Sequence, residues 1–347
     1  MKTRLPFLLL AALLVALLAA CGGGGNSGPV PADAIAQVDS TPISKSSFTD
    51  LMSVACARYK AQGQDCPKVG TPTYSSLRDS AVTFLVQQEE LTEEAKKLGV
   101  TVTQKDIDKQ VEQIKKSYYQ GSEKKLEDAL KKDDITRSQL EQYELRPNLL
   151  GQKLQAKVTS DVKVSDAAAQ KYYNANKATF TTPTTREIRH ILVNSKSLAD
   201  TIETKLKNGA SFAALAKQYS KDTGSAAKGG KLCVAHGGSS GACQQTVPPF
   251  DKAAFSLKTN ELSQPVKSVY GYHIIQALGP VKPSHTQTFA EVKTQIEGNL
   301  GSQQKQTAWQ AWLAKMAKDF KGKVSYQTGY APATTTTPTT PAPTTTG

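Results

Sequence analysis

Arg186-Glu-Ile-Arg-His-Ile-Leu-Val193 is the stretch on which the fold turns. It is rich in β-branched and aliphatic residues, holds no Gly or Pro, and reads as a strand. Downstream, Leu198 to Lys207 and Ser211 to Tyr219 read as helices, parted by Asn208-Gly209, a good C-cap. A Gly-rich loop then spans Gly224 to Gly241. A short helix near Phe250 to Leu257 leads into a closing hairpin, Pro265-Val-Lys followed by Gly271-Tyr-His-Ile-Ile-Gln-Ala-Leu. The centre of the chain is therefore a small mixed module.

Upstream the texture is helical. Ile35-Ala-Gln-Val-Asp predicts a short strand, and Ser44 caps a helix carrying Phe48, Leu51 and Met52. Leu77 to Leu98 is a long amphipathic helix stopped by Gly99. Thr103-Gln-Lys-Asp106 and Thr136-Arg-Ser-Gln139 resemble capping boxes. Pro147 is expected to kink or end the helix that follows the second, and Ser165 starts another with Tyr172 and Tyr173. After the central module, Thr288-Phe-Ala-Glu291 opens a helix that continues through Trp309, Trp312, Leu313 and Met316 at helical spacing. Neither helical flank buries all its apolar faces alone, so the last helix should pack back onto the first ones.

The ends differ from everything between them. Lys2 and Arg4 precede an apolar run from Leu5 to Ala20, short for a spanning helix but suited to a signal peptide. The run closes on Leu18-Ala-Ala-Cys21, which resembles a bacterial lipobox with Cys21 as the lipidated residue. Gly22 to Pro31 is a flexible tether, and Ala331 to Gly347 is a Thr/Pro-rich segment with nothing large enough to build a core.

Composition agrees with about two domains in 347 residues, 38% of them hydrophobic. Wholesale disorder and a multi-span membrane protein are both disfavoured. The net charge is +13, and +11 without Lys2 and Arg4. An extracytoplasmic address sets nucleic acid aside and leaves an anionic envelope as the natural counterpart of that charge.

Six stretches of the central module occur in a fixed order: Arg189-His190-Ile-Leu-Val, Phe212 to Asp222, Gly229-Gly230-Lys-Leu232, Val247 to Phe255, Glu261-Leu-Ser-Gln-Pro-Val, and Tyr270-Gly-Tyr-His273-Ile-Ile. Together they resemble the parvulin family of peptidyl-prolyl cis-trans isomerases over about Thr185 to Pro280. The resemblance implies catalysis by His190, Asp222 and His273, and a proline slot walled by Leu232, Thr246, Phe250 and Tyr270. No metal or other cofactor is implied, because rotation about a peptide bond makes and breaks nothing. Read without the family, the two His are structural partners across a sheet and Asp222 is a helix cap. The chain departs from the family at Cys233-Val-Ala, where aromatic residues are usual, and at Thr246, commonly Met. Those changes predict a shallower slot and weaker turnover. His236 and His285 have no family match and read as solvated loop residues.

With Cys21 set aside, four cysteines allow three pairings. Two lie ten positions apart in each half, favouring Cys56–Cys66 and Cys233–Cys243, each worth about 2–3 kcal/mol of loop-closure entropy. A metal set of Cys233, His236 and Cys243 lacks a fourth ligand.

The flanks resemble the chaperone part of PrsA-type foldase lipoproteins and, more distantly, SurA and trigger factor. The expected class is α+β: a parvulin-like module, a small mostly antiparallel sheet with surrounding helices, inserted in a mainly α-helical chaperone domain. The expected divisions are a signal peptide (1–21), spacer (22–33), helical chaperone domain (34–182), isomerase domain (185–280), returning helix (286–326) and tail (331–347). The resemblance implies a membrane-anchored extracytoplasmic isomerase and foldase, with a holdase of weak or no isomerase activity as the alternative. Its partners would be unfolded or newly secreted proteins with X-Pro bonds and the membrane itself. Anionic cell-wall polymers and a second copy of the chain are further candidates.

Overall fold

The computed structural model describes residues 29–239 and 241–333. The expectations for Cys21, most of the spacer and the Thr/Pro-rich tail lie outside those residues. The chain divides into two compact units, residues 164–300 forming one and the described residues on either side forming the other.

The flanking unit begins with hairpin strands β1 (Ala34–Val38) and β2 (Thr41–Ser44). Helices α1 (Lys45–Ala61), α2 (Pro72–Leu98), α3 (Gln104–Tyr119) and α4 (Glu123–Lys132) follow. The expected starts hold: Ser44 accepts the Ser47 N–H, and Thr103 and Thr136 both make reciprocal capping boxes. Gly99 ends α2 in the left-handed conformation, which costs a glycine little. Next come α5 (Arg137–Leu140), a π-helical turn (Glu141–Leu145) and α6 (Arg146–Val158).

Pro147 is expected to kink or end this helix; it does not end it, but a π turn interrupts the α-helical bonding just before it. The Arg146 N–H bonds Glu141 O, five residues back, and that widened turn stands directly before the residue with no N–H to give. The Cys56–Cys66 disulfide closes the loop after α1.

Residues 164–300 contain α7 (Asp166–Ala175) and β3 (Thr181–Thr182), then β4 (Thr184–Val193). Helices α8 (Lys196–Lys207), α9 (Phe212–Tyr219) and the single turn α10 (Thr223–Ala226) precede β5 (Lys231–His236) and β6 (Gln244–Gln245). Helix α11 (Pro248–Ser256), β7 (Val266–Ser268), β8 (Gly271–Ala277) and β9 (His285–Thr286) complete the set. The main sheet has the order β6-β5-β4-β8-β7 and is antiparallel except at β5–β6. One face packs Ile191, Val193 and Ile274 against Ala199, Ile202, Phe212 and Leu215 of α8 and α9. The other packs Ile188, Val234 and Ile275 against Phe250 and Ala254 of α11.

Helix α12 (Phe289–Asp319) starts on a third Thr288–Glu291 capping box. Its first turns pack Val292 and Ile296 on Tyr173 and Phe180 within residues 164–300. Its later turns place Trp309, Leu313 and Met316 in one apolar core with Ile35, Phe48, Val82, Ile107 and Leu154 of the flanking unit. Strand β10 (Val324–Tyr326), which local pattern did not announce, adds to β1 with Ala36 opposite Tyr326. The class is α+β, with a mostly antiparallel sheet set between helical segments. No helix among the described residues is long and apolar enough to cross a membrane.

Candidate active site

Strand alternation decides which way His190 faces. On β4, Arg189 and Ile191 point to the α8–α9 side, so His190 between them points to the α11 side with Ile188. The antiparallel register sets Leu192 opposite His273 and His190 opposite Ile275, which makes the two His diagonal neighbours on one face. Their rings stack at 5.7 Å between centroids, with Nδ1 3.5 Å from Nδ1, and both are buried.

Two glycines of the matched stretches allow this packing. Gly230 has φ +80°, and a Cβ there would lie 2.4 Å from His190 O; its own carbonyl accepts the His190 N–H at 2.9 Å. Gly271, at φ +133°, would set a Cβ 2.4 Å from Val193 O at the start of β8. Any side chain at either position would push apart the strand that carries a His.

Asp222 reaches the pair as the N-cap of α10. Its Oδ1 accepts the Gly224 N–H at 3.2 Å, so it is a cap, and its Oδ2 lies 2.8 Å from His190 Nε2. The Ser225 hydroxyl also donates to Oδ2. At the other end, the Tyr270 N–H donates to Ser268 Oγ at 3.1 Å, and Ser268 Oγ lies 2.7 Å from His273 Nε2.

These contacts assign the tautomers. A carboxylate only accepts, so His190 carries its proton on Nε2 and leaves Nδ1 as an acceptor. His273 then donates from Nδ1 and accepts the Ser268 hydroxyl proton at Nε2. One directed chain results: Tyr270 N–H to Ser268, Ser268 to His273, His273 to His190, His190 to Asp222. Every ring nitrogen is satisfied with both rings neutral.

Titration behaviour agrees. Burial pushes the His190 imidazole below its ordinary range, against the opposing pull of Asp222. Burial first, then the neighbouring His190, brings His273 down to about 4. For Asp222, burial acts upward, but hydrogen bonds from Ser225 and His190 outweigh it and hold the carboxyl below its usual range. Near neutrality the site is two neutral imidazoles and one anion. Ser225 and Asp222 meet His190 at the same nitrogen, so the three do not form a hydrolase triad, in which base and orienting acid use opposite ring nitrogens.

The wall is apolar. The Phe250 ring stands perpendicular to both imidazoles, its centroid 5.2 Å from that of His190 and 4.9 Å from that of His273, and Leu232 packs in the same cluster. Tyr270 sits at the β7–β8 turn, 65% exposed beside Val269 at 87%. Thr246 lies just before α11 with its hydroxyl buried and unbonded. Cys233 and Cys243 are joined as a disulfide, which removes them as metal ligands. His236 is solvated as expected, its side chain 64% exposed, but it is not in a loop: it ends β5, bonds Asp251 of α11 through Nδ1 and meets the Phe255 ring edge-on. His285 lies in the short strand β9.

Two further polar members of the site, Ser225 and Ser268, lie outside the sequence expectation. The first stands three residues beyond an N-cap Asp, the capping-box spacing that could have revealed it; the second had no local signal.

A family model described as a PPIC-type PPIase domain matches residues 164–294, and one described as a SurA-like N-terminal domain matches residues 1–155. The foldase protein PrsA of Clostridium botulinum (strain Langeland) is 33% identical over 299 residues, 83% of this chain and 87% of that protein. The chain belongs to the PrsA foldase family. A further PrsA, from Caldanaerobacter subterraneus subsp. tengcongensis, is 39% identical over 226 residues, 65% of this chain and 63% of the other. A solved peptidylprolyl isomerase (PrsA) from Bacillus anthracis is 26% identical, covering 68% of this chain and 94% of its own, with a TM-score of 0.27. The PrsA assignment carries both expected parts: an isomerase domain of parvulin type and a SurA-like helical region.

Proposed function

We propose that the chain is an extracytoplasmic foldase, held to the membrane by a lipid on Cys21, that isomerises X-Pro bonds of newly secreted proteins at the His190–Asp222–His273 cluster. The observation that supports the site is the directed hydrogen-bond chain through two imidazoles packed against Phe250 and ending on an anionic Asp222. An X-Pro bond crosses its rotational barrier as a twisted amide with less conjugation and a more basic nitrogen. An apolar wall of Leu232 and Phe250 would hold the proline ring. Fixed dipoles that need no reorganisation would favour the twisted form over the planar one. Thr246 and Tyr270 would border the same slot. The charge of +13 suits an anionic envelope.

The test is isomerisation of an X-Pro tetrapeptide by the full mature chain. The expected result is a rate above background that falls more than about tenfold in Asp222→Ala, the size of one hydrogen bond to a charged group. The holdase alternative draws on the Thr246 hydroxyl, buried without a hydrogen-bond partner just before α11, where a less apolar border would weaken turnover. It wins if aggregation of an unfolded client is suppressed while the wild type gives no isomerisation. Release of Cys21→Ala from the membrane fraction tests the anchor.

A further inference from the structure

Ser225 is only 4% exposed, and its side chain and backbone both bind the site. Its hydroxyl donates to Asp222 Oδ2, and its oxygen lies 3.1 Å from His190 Nε2, so the His190 N–H is shared between carboxylate and hydroxyl. Its carbonyl accepts the Gly230 N–H at 2.9 Å, and Gly230 O accepts the His190 N–H of the backbone at 2.9 Å. A closed circuit therefore runs from Asp222 through Ser225 and Gly230 to His190 and back to Asp222.

We propose that Ser225 is a positioning residue of the isomerase site: its hydroxyl holds Asp222 against His190 Nε2 and so fixes the tautomer on which the whole donor chain depends. A carboxylate with one free oxygen can rotate about its Cα–Cβ and Cβ–Cγ bonds. The Gly224 N–H bonds Oδ1 and the Ser225 backbone N–H acts on the carboxyl weakly, while the Ser225 hydroxyl restrains the oxygen facing the ring. Without it, Asp222 can turn outward, since at 32% its side chain is the most exposed of the cluster. His190 Nε2 would then lose its acceptor, and the alternative Nδ1–H form would set two donors against each other at the 3.5 Å contact with His273. The charged and titratable groups facing Asp222 are His190 directly and His273 behind it.

The inference rests on the isomerase reading for its consequence, and its decisive measurement does not need activity. In the full chain at neutral pH, nitrogen-15 spectra of the His190 ring should show a pure Nε2–H tautomer in the wild type. Ser225→Ala should give a mixture of tautomers, and Ser225→Thr, which keeps the hydroxyl, should restore the pure form. Tetrapeptide kinetics should follow, with kcat down about tenfold in Ser225→Ala at nearly unchanged KM. If the Ala variant does not fold, Ser225→Cys, a weaker donor of similar size, takes its place and should show the mixture to a smaller degree. A pure Nε2–H tautomer in the Ala or Cys variant overturns the proposal, as does a lowered melting temperature with unchanged kcat. Absence of any wild-type isomerisation would sink the isomerase reading instead, leaving the tautomer measurement to decide the role of Ser225.

Discussion

The two faces of the β4–β8 pair share one backbone and differ by a single step of register. On the α8–α9 side, Ile191, Val193 and Ile274 are fully buried among Ile202, Phe212 and Leu215. On the α11 side, the same strands give Ile188, His190, His273 and Ile275, and the two imidazoles interrupt an otherwise apolar layer. The first face contributes stability at about 1.5–3 kcal/mol for each buried Ile or Leu. The second gives some of that up, because two neutral rings in a buried site must have every nitrogen satisfied and resist protonation. Fold and chemistry are thus divided across a sheet one residue thick.

The largest effect that could break this division is expected from Ile274→Ala. It should lower the unfolding free energy by about 2–5 kcal/mol, read by urea denaturation, because α8 and α9 cannot collapse into the gap. The folded fraction should keep kcat/KM within about twofold. A large loss of kcat with stability intact would show that the faces are not separable.

Acid should act on the other face. His273 titrates near 6.5 when unfolded and at about 4 when folded, so between those values the unfolded chain binds the extra proton. Stability is therefore full above about pH 6.5 and falls as pH drops toward 4, by up to about 3 kcal/mol, then levels off. His190 is shifted the same way and adds to the loss. His273→Gln should flatten the profile across this window, whereas Ile274→Ala should lower it without changing its shape. Equal slopes in the wild type and His273→Gln would remove the desolvated imidazole from the account.

Much of this is legible in the sequence alone. The capping signatures at Thr103, Thr136 and Thr288 act through neighbours three residues away, and all three hold. The Cys56–Cys66 and Cys233–Cys243 pairings are likewise present, joined across ten residues each. His190, Asp222 and His273 were readable from matched stretches and meet in space. What escaped is non-local. Strand β10 forms because β1 offers a free edge some 290 positions earlier, and Val-Ser-Tyr by itself says little. Ser268 matters only because the β7–β8 register brings it to His273. His236 looked like a loop residue because its partner, Asp251, lies on a different element. Pro147 does not end its helix, because a π turn with Tyr143, Glu144 and Leu145 buried carries the helical backbone up to it, and no local pattern announces that turn.

The smallest effect tests the border between the faces. Tyr270 and Val269 form the apex of the β7–β8 hairpin, and they are among the most exposed large apolar residues described. An aromatic ring left in water contributes little to folding, so Tyr270→Ala should change stability by less than about 0.5 kcal/mol. Only the backbone N–H of Tyr270 belongs to the donor chain, through Ser268, and an alanine keeps that N–H. The His273 tautomer and kcat should therefore persist. If the ring borders the proline slot, KM should rise a few-fold, since uniform binding is removed without touching the groups that act on the twisted amide. A fall in kcat at constant KM would mean that the apex orients Ser268, placing the hairpin with the buried network rather than with the client.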